Sequence, residues 1–503
     1  MTAQVFSATS VGFESRLIEV ECDASNGLPG LQIVGLGSKA IDESRERVRS
    51  AIQNSLMDFP PKRITINLAP ASLPKNGAQF DLPIALAILT VSGQIKQHEL
   101  EGYIFAGELA LNGDLRPIKG SIHLAEMARQ TDKKTLFLPA SNVAEASLIH
   151  GVHVVGVRNL KELFLHLKQQ CIIPEYIATP KLSNPSRANG PEVTLDHIYD
   201  QDQAKRALII AAAGNHNLLL SGPPGAGKTM LAKALVGLLP PLSLEEQIET
   251  TKLHSTAGEI NGTPLASRPF RAPHHTVSYV SLVGGGRIPR PGEISLAHRG
   301  VLFLDELPEY PRSCLEALRQ PLEDRSIHIS RANERVTYPA DFMLVATQNP
   351  CPCGYFGDNT KQCQCTSAQI LNYKKRISGP LLDRIDLTVQ VSRVSHNRLL
   401  EAPKSSTQQT AQEKIIAARN IQRNRYGEPG ITNASLSSGM LVKHAPLSKT
   451  CIELLTLASE RLNLSARSYF KVIRIARTIA DLDGSQIITP HHLTEALQYR
   501  PHP

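Results

Sequence analysis

The chain has 503 residues, 41% of them hydrophobic and 20% charged, and its 54 basic and 46 acidic groups leave a formal net charge of +8. This length exceeds one ordinary core, so several domains are expected, and the basic balance is compatible with a polyanionic partner. No apolar run reaches the ~18 residues of a bilayer span, and the start Met1-Thr-Ala-Gln-Val-Phe6 lacks a signal-peptide pattern, so a membrane or secreted protein is not expected and a cytoplasmic setting is.

Residues 1–172 mix strand-like runs, Ile64–Leu68 and Val152–Val155, with helical patterns such as Leu82–Leu89, as an α/β domain would. Residues 173–191 form a linker, where Pro180, Ser183, Asn184, Pro185 and Asn189 replace periodic apolar positions. From 192 to 394 strand and helix signals alternate, which predicts a parallel sheet with crossover helices. Residues 395–503 read as helical, with Thr489-Pro490 as a helix start.

Within the second block, Gly222-Pro223-Pro224-Gly225-Ala226-Gly227-Lys228-Thr229 fits the G-x-x-x-x-G-K-[ST] phosphate-binding loop. It follows the apolar run Asn217–Ser221 and precedes a predicted helix over Met230–Leu239, stopped by Pro240-Pro241. Glycines let the backbone close around an anion with its N–H groups pointing inward. Lys228 would reach the β- and γ-phosphates of ATP, and the Thr229 hydroxyl would hold Mg²⁺. Ser243 and Glu246 form a capping box for the next helix. A long insertion follows, with Arg268-Pro-Phe-Arg-Ala-Pro-His-His275 and Ser281–Arg287.

Val301–Leu304 is an apolar strand ending in Asp305 and Glu306. Asp305 would orient Mg²⁺ and Glu306 would take a proton from the attacking water. Ile327–Ser330 and Arg335–Tyr338 read as a hairpin with Arg331 at its tip, and Phe342–Ala346 is a strand running into Thr347-Gln-Asn349. The Asn349 amide can hydrogen-bond both γ-phosphate and water. Cys351-x-Cys353 and Cys363-x-Cys365, nine residues apart, supply four thiolates for a structural, tetrahedral Zn²⁺; free thiols and an iron–sulfur cluster are the alternatives. Near the end, Ser465-Ala-Arg467 opens a helix. Arg474 and Arg477, further along it, are expected to be solvated or interdomain.

In this order the motifs resemble those of AAA+ ATPases. Ser378-Gly-Pro-Leu-Leu-Asp383-Arg384-Ile-Asp386 is similar to the arginine-finger segment of magnesium-chelatase ATPase subunits and MCM helicases, and Arg467 matches the second sensor, reading nucleotide in cis or in trans. A surface Arg384–Asp386 pair is the bland alternative. The insertion and the hairpin resemble those that this branch directs into a ring's central channel, which makes Arg331 a candidate DNA contact. A finger acting in trans implies a homo-hexameric ring.

The first domain resembles the Lon-type protease fold in Pro74–Asp81 and Gly107–Gly120, but Gln79 and Ile122 stand where the nucleophilic serine and its lysine are expected, so no proteolysis is implied. A similarly degenerate domain occurs in the DNA-repair ATPase RadA, as a ring platform. The whole arrangement resembles the YifB/ComM family of magnesium chelatase-like proteins. That resemblance implies an ATP-driven ring on single-stranded or branched DNA, promoting branch migration in recombination and natural transformation, with a possible recombinase partner. A protein-remodelling ring or a chelatase-type ATPase is the alternative.

Overall fold

The computed structural model describes residues 2–35, 39–73, 75, 77–177, 193–260, 262–286, 289–330, 335–358, 361–393, 407–428 and 430–500. Arg331, Arg287 and linker positions 178–192 therefore lie outside the described residues.

Alternating apolar residues make Thr2–Val11 and Glu14–Ser25 an antiparallel pair, with Thr2 opposite Asp23 and Val11 opposite Glu14. Arg63–Ala69 pairs antiparallel to the second strand, and Gly30–Val34 joins it in parallel at the sheet edge. The helix Asp81–Val91 is apolar all round and buried from Asp81 to Leu89, as expected of a helix with no solvent face. Its one buried charge is answered, since Arg47 Nε lies 2.8 Å from Asp81. A second, parallel sheet carries Tyr103–Phe105, Thr135–Pro139 and His153–Val157 in that order.

The central block is a five-stranded parallel sheet ordered Phe270–Arg271, Val301–Leu304, Met343–Gln348, Leu218–Ser221, Leu387–Gln390. Both Val301–Leu304 and Leu218–Ser221 are buried at every position, the mark of a sheet covered on both faces. The helix after the phosphate loop runs Lys228–Val236, starting earlier and ending earlier than its apolar pattern indicates. Gly227 at φ +84 feeds it directly, so Lys228 already belongs to its first turn. The Ser243 capping box forms, with reciprocal bonds of 3.2 and 3.0 Å to Glu246, an arrangement worth about 1 kcal/mol.

The C-terminal helices Thr407–Tyr426, Lys449–Leu462, Ala466–Leu482 and Pro490–Gln498 pack back on the helix Asp202–Gly214 and share one apolar core with the central sheet. Arg477 corrects an expectation here. It is 1% exposed, inside the helical bundle rather than solvated or interdomain, with Asp481 and the Ser485 and Gln486 carbonyls taking its donors. Arg474 is likewise engaged, on the Leu436 carbonyl at 2.9 Å.

The N-terminal block meets the central one through polar contacts and through two apolar side chains, Phe13 and Ile248, each packed against the other block's core. Helix Ser121–Gln130 faces helix Leu244–Ala257, with Lys252 Nζ 2.8 Å from Glu126 and His123 Nε2 2.9 Å from Thr256 Oγ1. Ser255 donates to Glu145 at 2.6 Å and accepts from the Gly120 amide at 2.8 Å. The turn after the first strand reaches the hairpin Ser326–Ser330/Arg335–Pro339. There Gly12, at φ +63, is needed because a Cβ would lie 2.1 Å from Val336 Cγ1. Among the described residues no helix is long and apolar enough to cross a membrane.

Candidate nucleotide site and cysteine centre

Parallel strands deliver their C-terminal ends to one edge of the sheet, and three adjacent strands end at this site. Leu218–Ser221 runs into the phosphate loop, Val301–Leu304 into Asp305 and Glu306, and Met343–Gln348 into Asn349. Gly225 and Gly227 take φ values of +78 and +84, and at neither would a Cβ meet another atom within 4 Å, so backbone conformation demands glycine there. Gly222 is required by space, since a Cβ would lie 2.2 Å from the Val391 carbonyl oxygen. Pro223, Pro224 and Ala226 complete the turn, with the Ala226 side chain buried in the core below.

Lys228 Nζ donates to the carbonyls of Gly222 and Pro223 at 2.6 and 3.0 Å and to Asn349 Oδ1 at 2.9 Å. Burial pulls its pKa below that of an ordinary lysine, against the Asp305 and Glu306 charges, which favour the cation. Thr229 Oγ1 donates to Asp305 Oδ2 at 3.2 Å, so the two groups expected to hold Mg²⁺ stand together. Thr347, which sequence reasoning passed over, ties the Asp305 carboxylate to the Glu306 backbone. Its hydroxyl donates to Asp305 Oδ1 at 2.5 Å and accepts from the Glu306 amide at 2.9 Å. Glu306 itself sits at φ +54, a conformation uncommon outside glycine, with its side chain exposed at the edge. Geometry therefore collects Lys228, Thr229, Asp305, Glu306 and Asn349 around one open cradle. A cleft of about 1070 Å³ lies behind it, lined by Gly222, Pro223, Asn349, Arg393, Ser468 and Lys471. Lys228, Thr229 and Asp305 are not on its walls, but Gly222, Pro223 and Asn349 are, so the cleft adjoins the cradle and runs from it toward the helical bundle.

Arg384 and Arg467 are not in that cradle. The Arg384 carbonyl accepts from Asn217 Nδ2 at 2.8 Å, and Asn217 precedes the strand whose other end starts the phosphate loop. Four strand residues span about 13 Å, so Arg384 belongs to the opposite end of the sheet. Its guanidinium donates to the Arg319 and Pro380 carbonyls and pairs with Glu323 at 2.6 Å. Asp386 is not its partner, which removes the bland pairing; Asp386 accepts from the Asn217 amide at 3.0 Å and faces His216. Arg467 comes to the same place, its Nη2 lying 2.8 Å from Glu323. Glu323 is the second residue that sequence reading missed, and nothing in its local pattern marks it.

The four clustered cysteines converge, with Cys351 buried and the others half-buried. Cys351 Sγ lies 3.3 Å from Cys353 Sγ and 3.7 Å from Cys363 Sγ, and Cys353 lies 3.6 Å from Cys363. Tetrahedral Zn–S bonds of ~2.3 Å would put sulfurs about 3.8 Å apart, whereas a disulfide needs ~2.05 Å, so the donor set fits a thiophilic tetrahedral ion. Amides of Phe356 and Cys365 donate to Cys351 and Cys363 sulfurs at 3.3 and 3.5 Å, as suits thiolates. Backbone donors from Tyr355 and Gln364 bring the Cys353 thiol down to about 6, whereas at Cys363 the backbone donor from Cys365 is outweighed by burial and by bonds to Cys353 and Cys351, which hold that thiol up at about 12. The loop touches the cradle. A Cβ on Gly354, at φ +85, would lie 2.6 Å from Pro224 Cδ.

In the N-terminal block, Gln79 Nε2 donates to the Ala8 carbonyl at 3.0 Å and Ile122 is wholly buried in an apolar cluster. The amide and the alkyl chain are both used structurally.

Comparison with known proteins agrees across nearly the whole chain. The family model "Magnesium chelatase, subunit ChlI" matches residues 194–399, "Subunit ChlI of Mg-chelatase" matches 20–142, and the ChlI C-terminal model matches 405–500. The competence protein ComM of Haemophilus influenzae is 44% identical over 500 residues, covering 99% of this chain and 97% of ComM. YifB of Escherichia coli is 43% identical over 503 residues, covering 99% and 96%. The magnesium-chelatase 67 kDa subunit of Chlorobaculum tepidum is 26% identical over 165 residues, 31% of this chain and 23% of that protein.

Proposed function

The chain belongs to the YifB/ComM family of magnesium chelatase-like AAA+ ATPases, and from that premise we propose that it is a hexameric, ATP-hydrolysing ring that moves on DNA and promotes branch migration of recombination intermediates, including those of natural transformation. The observation that carries the reading is the separation of Arg384 from the cradle. Phosphate loop, Asp305, Glu306 and Asn349 stand at one end of the sheet, and Arg384 at the other. An arginine so placed cannot serve its own protomer's γ-phosphate, and in a ring it faces a neighbour's.

In that assembly the amides of Gly225–Lys228 and the Lys228 ammonium bind the triphosphate. Thr229 and Asp305 would hold Mg²⁺, which when bound neutralises phosphate charge. Glu306 accepts the proton of the attacking water, Asn349 orients it, and Arg384 with Arg467 from the neighbouring subunit stabilises the charge that develops. Cys351, Cys353, Cys363 and Cys365 would hold a structural Zn²⁺, bracing the loop that abuts Pro224. The domains follow as a Lon-like block over 1–172, a linker, the ATPase core over 192–394 and a helical lid over 395–503, in a cytoplasmic protein. DNA as substrate is supported by the +8 charge and by the relative named a competence protein.

A protein-remodelling ring is the second reading, favoured by Tyr279 and Val280, which stand 51% and 48% exposed in the insertion. Steady-state ATP hydrolysis separates the two, measured alone, with single-stranded DNA and with a four-way junction. Several-fold stimulation that fades as salt rises supports a DNA motor; turnover indifferent to every DNA transfers the reading to protein remodelling.

A further inference from the structure

Two arginines from distant parts of the chain end on one carboxylate. Glu323, in the one-turn helix Pro321–Asp324, takes Nη2 of Arg384 at 2.6 Å and Nη2 of Arg467 at 2.8 Å. Arg384 follows the turn Gly379–Leu382, and Arg467 lies in the first turn of Ala466–Leu482, so one joins from the core and the other from the helical bundle. Both guanidiniums offer Glu323 the same terminal nitrogens that an incoming phosphate would need. Side-chain exposure is 10% for Arg384, 39% for Arg467 and 44% for Glu323, so Arg467 and the carboxylate are the members of the trio open to an approaching ligand. Arg325, Lys471 and Arg474 line the adjoining cleft with Arg384 and Arg467, against the three carboxylates of Asp341, Asp383 and Asp386, and this basic excess lowers the cost of bringing a polyanion there.

We propose that Glu323 is a positioning residue that parks Arg384 and Arg467 side by side in the unengaged protomer and yields them to the γ-phosphate of a neighbouring subunit. The proposal rests on the reading that these arginines act in trans. Partial burial raises the Glu323 carboxyl, but the Arg384 and Arg467 guanidiniums outweigh it and hold it below the usual range, as an occupied clamp requires. The clamp also sits at a mechanical junction. Arg325, at φ +53, connects Glu323 to the hairpin strand Ser326–Ser330; its carbonyl accepts from the Ala340 amide at 2.8 Å, and its guanidinium stands 3.5 Å from Asp341. Release of the arginines is therefore felt at the foot of the hairpin.

The test is ATP turnover of the full chain across ATP concentrations, for wild type, Glu323→Gln, Glu323→Ala, Arg384→Ala and the Arg384→Ala/Glu323→Gln double variant. Both Glu323 variants should raise DNA-free kcat several-fold with KM little changed, because the arginines no longer have to leave a competing carboxylate. In the Arg384→Ala background Glu323→Gln should add nothing. Amide exchange at Ser326–Ser330 should quicken in Glu323→Gln. Unchanged or lower kcat, or an equal rise in the Arg384→Ala background, overturns the clamp while leaving the trans reading intact. Wild-type turnover by Arg384→Ala overturns both.

Discussion

Lys228 and Asn349 hydrogen-bond at 2.9 Å although 121 positions separate them, because parallel pairing of Leu218–Ser221 with Met343–Gln348 sets the ends of their strands side by side. The contact keeps the ammonium over the loop before any phosphate arrives. Lys228→Ala removes that charge, and hydrolysis should fall by about 10²-fold or more, with nucleotide affinity lost in parallel. Asn349→Ala should lower kcat while nucleotide still binds. Turnover paired with fluorescent-nucleotide binding checks both.

Glu306→Gln keeps shape and removes basicity. With Thr347 still holding its backbone, nucleotide should bind as in wild type while hydrolysis drops by roughly 10²–10⁴-fold. Hydrolysis at the wild-type rate would show that another group takes the proton.

Cys363→Ser with Cys365→Ser leaves two of four sulfurs. Elemental analysis should find near-stoichiometric zinc in the wild type and almost none in the variant, with a melting temperature several degrees lower. Because Gly354 abuts Pro224, nucleotide affinity should weaken as well. Equal melting and no metal in either protein would leave the cysteines as free thiols.

The joint between the two α/β blocks should loosen in acid, in two stages. Burial pushes His123 down to about 4 from an ordinary 6.5, so in that window the unfolded chain takes a proton that the folded one does not. Stability then falls as pH drops, by up to about 3 kcal/mol for a shift of this size. Burial pushes Glu126 up, but its bonds to Lys252 and Ser15 hold it below an ordinary glutamate, and that contribution is lost only as pH falls further, through the depressed value. Thermal melts between pH 7 and pH 4 should show the first stage in wild type and lack it in His123→Gln.

Lys252→Ala strands Glu126 in a largely buried place and should cost about 3 kcal/mol, more than most surface changes. Replacing both, Lys252→Met with Glu126→Gln, should recover part of the loss. Calorimetry of the lowest-temperature transition reads the difference.

Local chemistry made much of this legible in the amino-acid order. Glycine spacing at 222–227 dictates a tight loop ahead of a helix, apolar runs ending in Asp305-Glu306 and near Asn349 dictate strands with polar ends, and paired Cys-x-Cys steps dictate a four-cysteine cluster. Those signals are short-range, because a backbone conformation or strand period is set by neighbouring residues. Long-range contacts decided the rest. Thr347 became the tie between the Asp305 carboxylate and the Glu306 backbone only through sheet register, and Arg477 was drawn inside by Asp481 one helical turn away and by two loop carbonyls. Arg384 and Arg467 met at Glu323 because the helical bundle folds back onto the core, a packing driven by apolar burial that no charge pattern around Glu323 encodes.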